Sequence, residues 1–98
     1  MRYSYEKAVD ITTDLSSGDV GIPEQLKIAT TSKYNLIPTG IMVCSATNQV
    51  VDVVCKLRGG DDSITFNLQT NVIYELAVEK VYNSGTTTEK IILLGAIN

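Results

Sequence analysis

Val50-Val51-Asp52-Val53-Val54-Cys55-Lys56-Leu57, then Arg58-Gly59-Gly60-Asp61-Asp62, then Ser63-Ile64-Thr65-Phe66-Asn67-Leu68 is the stretch that decides the fold class. In the first run Val51, Val53, Cys55 and Leu57 recur at period two, with Asp52 and Lys56 between them. Side chains alternate across a strand, so this spacing predicts a half-buried strand. The middle run is a turn, because glycine reaches positive φ without a steric cost and aspartate bonds its own backbone there. The third run alternates again and predicts a strand with Ile64, Phe66 and Leu68 inward.

Toward the C-terminus the same punctuation continues. Gln69-Thr70-Asn71 turns the chain, and residues 72–82 follow with Val72, Tyr74, Leu76 and Val78 on one face and Glu75 and Glu79 opposite. Ile73, Leu76, Ala77 and Lys80 also fit helical spacing. The β-branched content and the lack of an N-cap signature favour one long strand, with a bulge where the pattern slips near Lys80-Val81-Tyr82. Asn83-Ser84-Gly85-Thr86 is a further turn. Lys90-Ile91-Ile92-Leu93-Leu94 lacks alternation, as expected of a strand buried on both faces in the core or against a neighbouring subunit. Toward the N-terminus, Gly40-Ile41-Met42-Val43-Cys44-Ser45-Ala46 reads as a strand closed by Thr47-Asn48-Gln49, and Pro38 suits a position at its start.

The first third is more polar. Ala8-Val9-Asp10-Ile11-Thr12 reads as a short strand, Thr12 to Asp19 is rich in Thr, Ser and Asp, and Pro23 reads as the first residue of one helical turn. Leu26-Lys27-Ile28-Ala29-Thr30 alternates as an extended piece. Short strands with turn signals every 8–12 residues define an all-β fold. The expectation is a small β-sandwich or jelly-roll-like barrel of about six or seven strands. Residues 36–98 would form its core and residues 1–35 an extended interaction arm. Tyr3, Tyr5 and Tyr34 are the candidate interface residues of that arm, since tyrosine combines contact area with a hydrogen-bonding tip. The alternative is that this segment pads the core of the same domain or one of its edges.

Composition bounds the chemistry. The 98 residues include 8 basic and 11 acidic side chains, for a net charge of −3, and neither histidine nor tryptophan. Without histidine the commonest general base and metal ligand is missing, which argues against triad hydrolases and zinc sites. Lys27, Lys33, Lys56 and Arg58 are scattered among acids, so no basic stripe favours nucleic acid. No apolar run approaches the ~20 residues of a membrane-spanning helix, and the N-terminus lacks a signal-peptide pattern. Cys44 and Cys55 are not in a CxxC motif. They read as small buried apolar residues with free thiols in a reducing cytoplasm, and a disulfide between neighbouring strands stays open.

No constellation of catalytic, cofactor-binding or metal-ligating residues emerges. Asp52, Glu75 and Glu79 fall on outer strand faces, where carboxylates are solvated rather than held at separated pKa values. Asp61-Asp62 lacks the further ligands of a calcium loop. Gly18-Asp19-Val20-Gly21 lacks the residues of a phosphate loop or dinucleotide fingerprint. The reading is therefore a non-enzyme.

The run Ile37-Pro38-Thr39-Gly40-Ile41-Met42-Val43, the Val-rich Val51-Asp52-Val53-Val54, the Gly59-Gly60-Asp61-Asp62 turn, Thr65-Phe66, Lys80-Val81 and the Ser84-Gly85-Thr86-Thr87 turn before an apolar last strand carry a family resemblance. In this order they resemble the small head-spike base and capsid decoration proteins of tailed bacteriophages and gene transfer agents. Val9-Asp10-Ile11-Thr12-Thr13-Asp14 is also similar. This chain differs in Gln69-Thr70-Asn71, where the family has Pro-Ala-Gly, and in extra residues at 26–36 and 95–98. The resemblance implies a non-enzymatic structural virion protein, made in the host cytoplasm, that oligomerises on the capsid surface as a decoration (cement) or head-spike base protein. Its partners would be the major capsid protein, copies of itself and a head fibre protein. It implies no cofactor, and the composition argues against nucleic acid and membrane. A host- or carbohydrate-binding module of a phage tail or fibre is the alternative. The absent tryptophan and the single, inward-placed Phe66 weigh against it. If residues 1–35 are an arm, removing residues 1–20 should abolish particle binding and leave the domain folded.

Overall fold

The computed structural model describes residues 5–23, 26, 37–60 and 62–96. Among them seven strands and one short helix occur in the order β1 (Tyr5–Asp10), α1 (Thr12–Ser17), β2 (Ile37–Cys44), β3 (Val50–Leu57), β4 (Ile64–Gln69), β5 (Ile73–Tyr74), β6 (Val78–Val81) and β7 (Lys90–Ala96). The strands form two antiparallel sheets, one ordered β1-β7-β2-β5 and the other β4-β3-β6. The protein is an all-β sandwich.

The alternation on β3 is realised as expected: Val53 and Cys55 are buried, and Val51 and Leu57 pack against the core. The hairpin to β4 turns through Gly59 at φ 81°, a conformation that favours glycine. On β4, Leu68 is buried and Phe66 half-buried, but Ile64 is 49% exposed. The inward period is right, yet Ile64 lies at the end of the strand that the opposite sheet leaves uncovered. The continuous apolar run of β7 follows from its central place between β1 and β2. Ile91 and Leu93 enter the core together with Ile41 and Val43 of β2. On the other face Leu94 is buried and Ile92 half-buried.

Three expectations are corrected. Residues 72–82 are not one strand. β5 pairs with β2 in the first sheet, and β6 pairs with β3 in the second. Between them Leu76 N–H donates to the Tyr74 carbonyl and Val78 N–H to the Leu76 carbonyl, both at 3.0 Å. Two successive turns of this tight kind carry the chain across the sandwich, which side-chain periodicity does not report. A bulge is present where β6 meets β3, between the Lys56–Lys80 and Leu57–Val78 pairs, slightly earlier in the chain than the sequence places it.

The second correction concerns Thr12 to Ser17, a polar run whose first residue falls in the strand expected at 8–12, although β1 ends at Asp10. They form α1, which buries Leu15. Asp10 initiates this helix: its carboxylate accepts from Thr12 N–H at 2.9 Å and from Thr12 Oγ1 at 2.6 Å. Those two bonds, with a smaller contribution from Lys90, hold the Asp10 carboxyl below the usual carboxylate range.

The third is the origin of the core. It does not begin at residue 36, because Ile11 and Leu26 are fully buried in it and Val9, Val20 and Ile22 pack against it. β1 supplies an edge of the first sheet and pairs with β7 from Tyr5↔Ala96 to Asp10↔Ile92. Val20 and Val81 exchange reciprocal backbone bonds at 2.8 Å. The Leu26 N–H closes a turn onto the Pro23 carbonyl, at the place where Pro23 was expected to open one. The rest of the extended piece expected at 26–30 lies outside the described residues.

Candidate interaction surface

Among the described residues the structure brings no catalytic constellation together. Glu79 on β6 pairs with Lys56 of β3 at 2.9 Å, Asp52 accepts from the Asn67 side chain, and Glu75 lies exposed between β5 and β6. Among the described residues no group of three or more histidine, cysteine, aspartate or glutamate side chains is placed to hold a metal ion. No helix among them is long and apolar enough to cross a membrane.

One cleft of about 110 Å³ lies between α1 and the β6–β7 loop, lined by Thr12, Ser16, Asn83, Thr86, Thr88 and Glu89. A small-molecule site typically has about 300–1,000 Å³. The polar groups here are committed to the fold. Thr12 Oγ1 accepts from Ile91 N–H at 3.0 Å, the Asn83 amide donates to the Leu15 carbonyl, and Thr86 Oγ1 accepts from Val54 N–H at 2.9 Å. This loop also completes the flank of β3 beyond the end of β6. Tyr82 N–H reaches the Val54 carbonyl and Thr87 N–H the Asp52 carbonyl, each at 2.8 Å. Gly85 sits at φ 86°, where a Cβ would fall 3.0 Å from Val54 Cγ2. The Gly85-Thr86-Thr87 turn that marks the sequence is therefore a structural splice.

Both thiols are free and on different sheets. Cys55 is fully buried, and burial pushes its thiol up to about 11. Cys44 is half-exposed at the end of β2. Only the thiolate attacks electrophiles. At pH 8 the native protein is expected to take up one equivalent of a thiol reagent, at Cys44, and a second only after unfolding. Fast labelling of both thiols in the native protein would contradict this burial.

The candidate interface residues Tyr3 and Tyr34 lie outside the described residues. Tyr5 begins β1 opposite Ala96, and its side chain also lies outside them. What the structure adds is the surface of the two sheets. On the outer face of the first sheet, Met42 pairs with Ile73 on one side and Ile92 on the other. Ile73 is 48% exposed and the other two half-exposed, so three apolar side chains run in register across three strands. Contiguous apolar surface of this kind marks contact sites more than scattered apolar residues do. The strand holding Met42 was legible, but the neighbours that make a stripe come from pairing.

The four sheet edges differ. β1 carries Glu6, Lys7 and Asp10 and an irregularity between Tyr5 and Lys7. β5 has two residues. β6 carries Glu79 and Lys80, is bulged, and is bonded by Val20. Charge, shortness and bulges are the devices that keep sheet edges from pairing with other chains. β4, Ile-Thr-Phe-Asn-Leu-Gln, has none of them.

Fold and surface together define a small two-sheet β-sandwich with an apolar stripe on one sheet and an uncharged edge strand on the other. No family model, no curated protein and no solved structure matches the chain.

Proposed function

We propose that this protein is a non-enzymatic structural component of a tailed-phage particle, seated on the capsid surface as a decoration or head-spike base protein and contacting the major capsid protein and copies of itself. The observation that carries the reading is the resemblance over residues 37–91. The segments that carry it are the strands β2, β3, β4, β6 and β7 and the turns at Gly59 and Gly85. The apolar stripe of Met42, Ile73 and Ile92 supports adhesion to a larger body.

The test is made on particles purified from the genome that encodes the chain. Peptide mass spectrometry is expected to find it in a fixed ratio to the major capsid protein, and imaging to find it on the shell. Ile73→Lys is expected to lower that occupancy at least about tenfold. It should change domain stability by no more than roughly 0.5 kcal/mol, because the side chain is exposed. Absence of the chain from purified particles would sink the proposal, and undiminished occupancy of the lysine variant would remove the stripe from it.

A further inference from the structure

The outer side of β4 presents main-chain groups in a defined pattern. Val54 and Asp52 of β3 direct their backbone bonds to the β6–β7 loop, away from β4. Their register partners on β4, Thr65 and Asn67, must by antiparallel geometry direct theirs the opposite way, off the sheet. Gln69 agrees with this alternation, since its N–H leaves the sheet and donates to the Tyr74 hydroxyl at 3.0 Å. Among the described residues no strand pairs with this side of β4, and Thr65 and Asn67 are exposed. The two-residue β5 reaches only the Gln69 end of the edge, which leaves Ile64 and Phe66 partly uncovered beneath it.

The geometry points to β4 as a self-pairing edge, joined to β4 of a second copy of this chain in antiparallel register about a two-fold axis at Phe66. Thr65 then faces the partner's Asn67, and Asn67 faces the partner's Thr65. Each pair exchanges two N–H···O bonds through the groups that point off the sheet. Phe66 meets its own counterpart in a non-hydrogen-bonded pair, where side chains approach most closely. The Gln69 N–H keeps its bond to Tyr74. A second copy fits because the strand has no charge or proline, so self-pairing opposes no like charges across the seam. It also sets Ile64 opposite the partner's Leu68 and Phe66 opposite its own counterpart, joining the two cores. The inference rests on the self-assembly part of the reading above and is independent of its particle part.

Sedimentation equilibrium of the full chain is expected to show a concentration-dependent dimer. Thr65→Pro removes the N–H that meets the partner's Asn67 carbonyl without removing a bond to β3, so it should weaken self-association at least about tenfold while leaving the monomer folded. Thr65→Lys with Asn67→Lys places lysine opposite lysine and should do the same by repulsion, which covers the case of a misfolded proline variant. Thr65→Cys with Asn67→Cys, in a Cys44→Ser background, is expected to give a covalent dimer on mild oxidation, since directly opposed residues lie within disulfide reach. A wild-type chain that stays monomeric up to about 1 mM overturns the pairing, as does a dimer that survives both the proline and the double-lysine changes. A dimer that persists without cross-linking through 65 and 67 overturns the register. Each of these outcomes leaves the particle reading to the particle experiment.

Discussion

Without residues 1–10 the domain is expected to lose its cooperative unfolding transition. The removed strand covers one flank of β7 through five register pairs, from Tyr5↔Ala96 to Asp10↔Ile92. At about 1 kcal/mol net for each backbone bond, the loss approaches the 5–15 kcal/mol that holds a typical domain folded. Other losses add to it. Val9 leaves the core margin, and Asp10 no longer bonds the first turn of α1, the helix that places Leu15. β7, whose residues after Lys90 carry no charge, becomes an open edge and a template for aggregation. Circular dichroism during heating, with light scattering alongside, reads both effects. A truncated chain that is monomeric and melts cooperatively within a few degrees of wild type would show that β1 is an appendage. The sequence-level expectation for removing residues 1–20 was a folded domain that no longer binds. The pairing of β1 with β7 predicts the opposite order, with folding lost first.

Thr70→Val is expected to destabilise the domain by about 2–4 kcal/mol, with a melting temperature lower by roughly 10 °C or more. Thr70 is 1% exposed and is the buried polar residue among those described. Its hydroxyl accepts from Gln49 N–H and donates to the Thr47 carbonyl, both at 3.0 Å. It thereby ties the β4–β5 turn to the β2–β3 loop. Valine keeps the shape and leaves two part-buried main-chain groups without their partner, which is the costly side of the hydrogen-bond balance. Thr70→Ser keeps the hydroxyl and should cost only about 1 kcal/mol for the missing methyl. Equal losses for the two variants would show that Thr70 acts through packing alone. The adjacent Asn71 completes the splice. It sits at φ 65° and its side chain bonds Ser45 N–H, the Ser45 carbonyl and Asn48 Oδ1.

Turn chemistry made this region legible as a bend, since asparagine tolerates the left-handed region. The bonds from Thr70 and Asn71 to residues 45–49 were not legible, because they join segments more than twenty positions apart. The same division separates β3 from the 72–82 segment. On β3 a single face is buried along the whole strand, so period two survives intact. In 72–82 inward residues come from two strands facing opposite sheets, and their union imitates one strand. The first third misled for a related reason. Its apolar residues, Val9, Ile11, Leu15 and Val20, have no single period because they enter the core from a strand, a helix and a bridge.

The candidate surfaces divide in the same way. That residues 64–69 carry no charge can be read from the letters. That they form an open edge depends on β3 having its second neighbour elsewhere.

By itself, the sequence determined that this chain is built of strands, where most of them turn, which side chains of β3 point inward and that β7 is apolar on both faces, because backbone geometry and turn conformation are set by neighbours within a few residues. Only the tertiary structure decided which strands share a sheet, that β1 and α1 contribute to the core, and that β4 is an edge without a further neighbour among the described strands. Main-chain hydrogen bonds between strands are indifferent to side-chain identity, so the choice of partner is made by the packing of the whole chain.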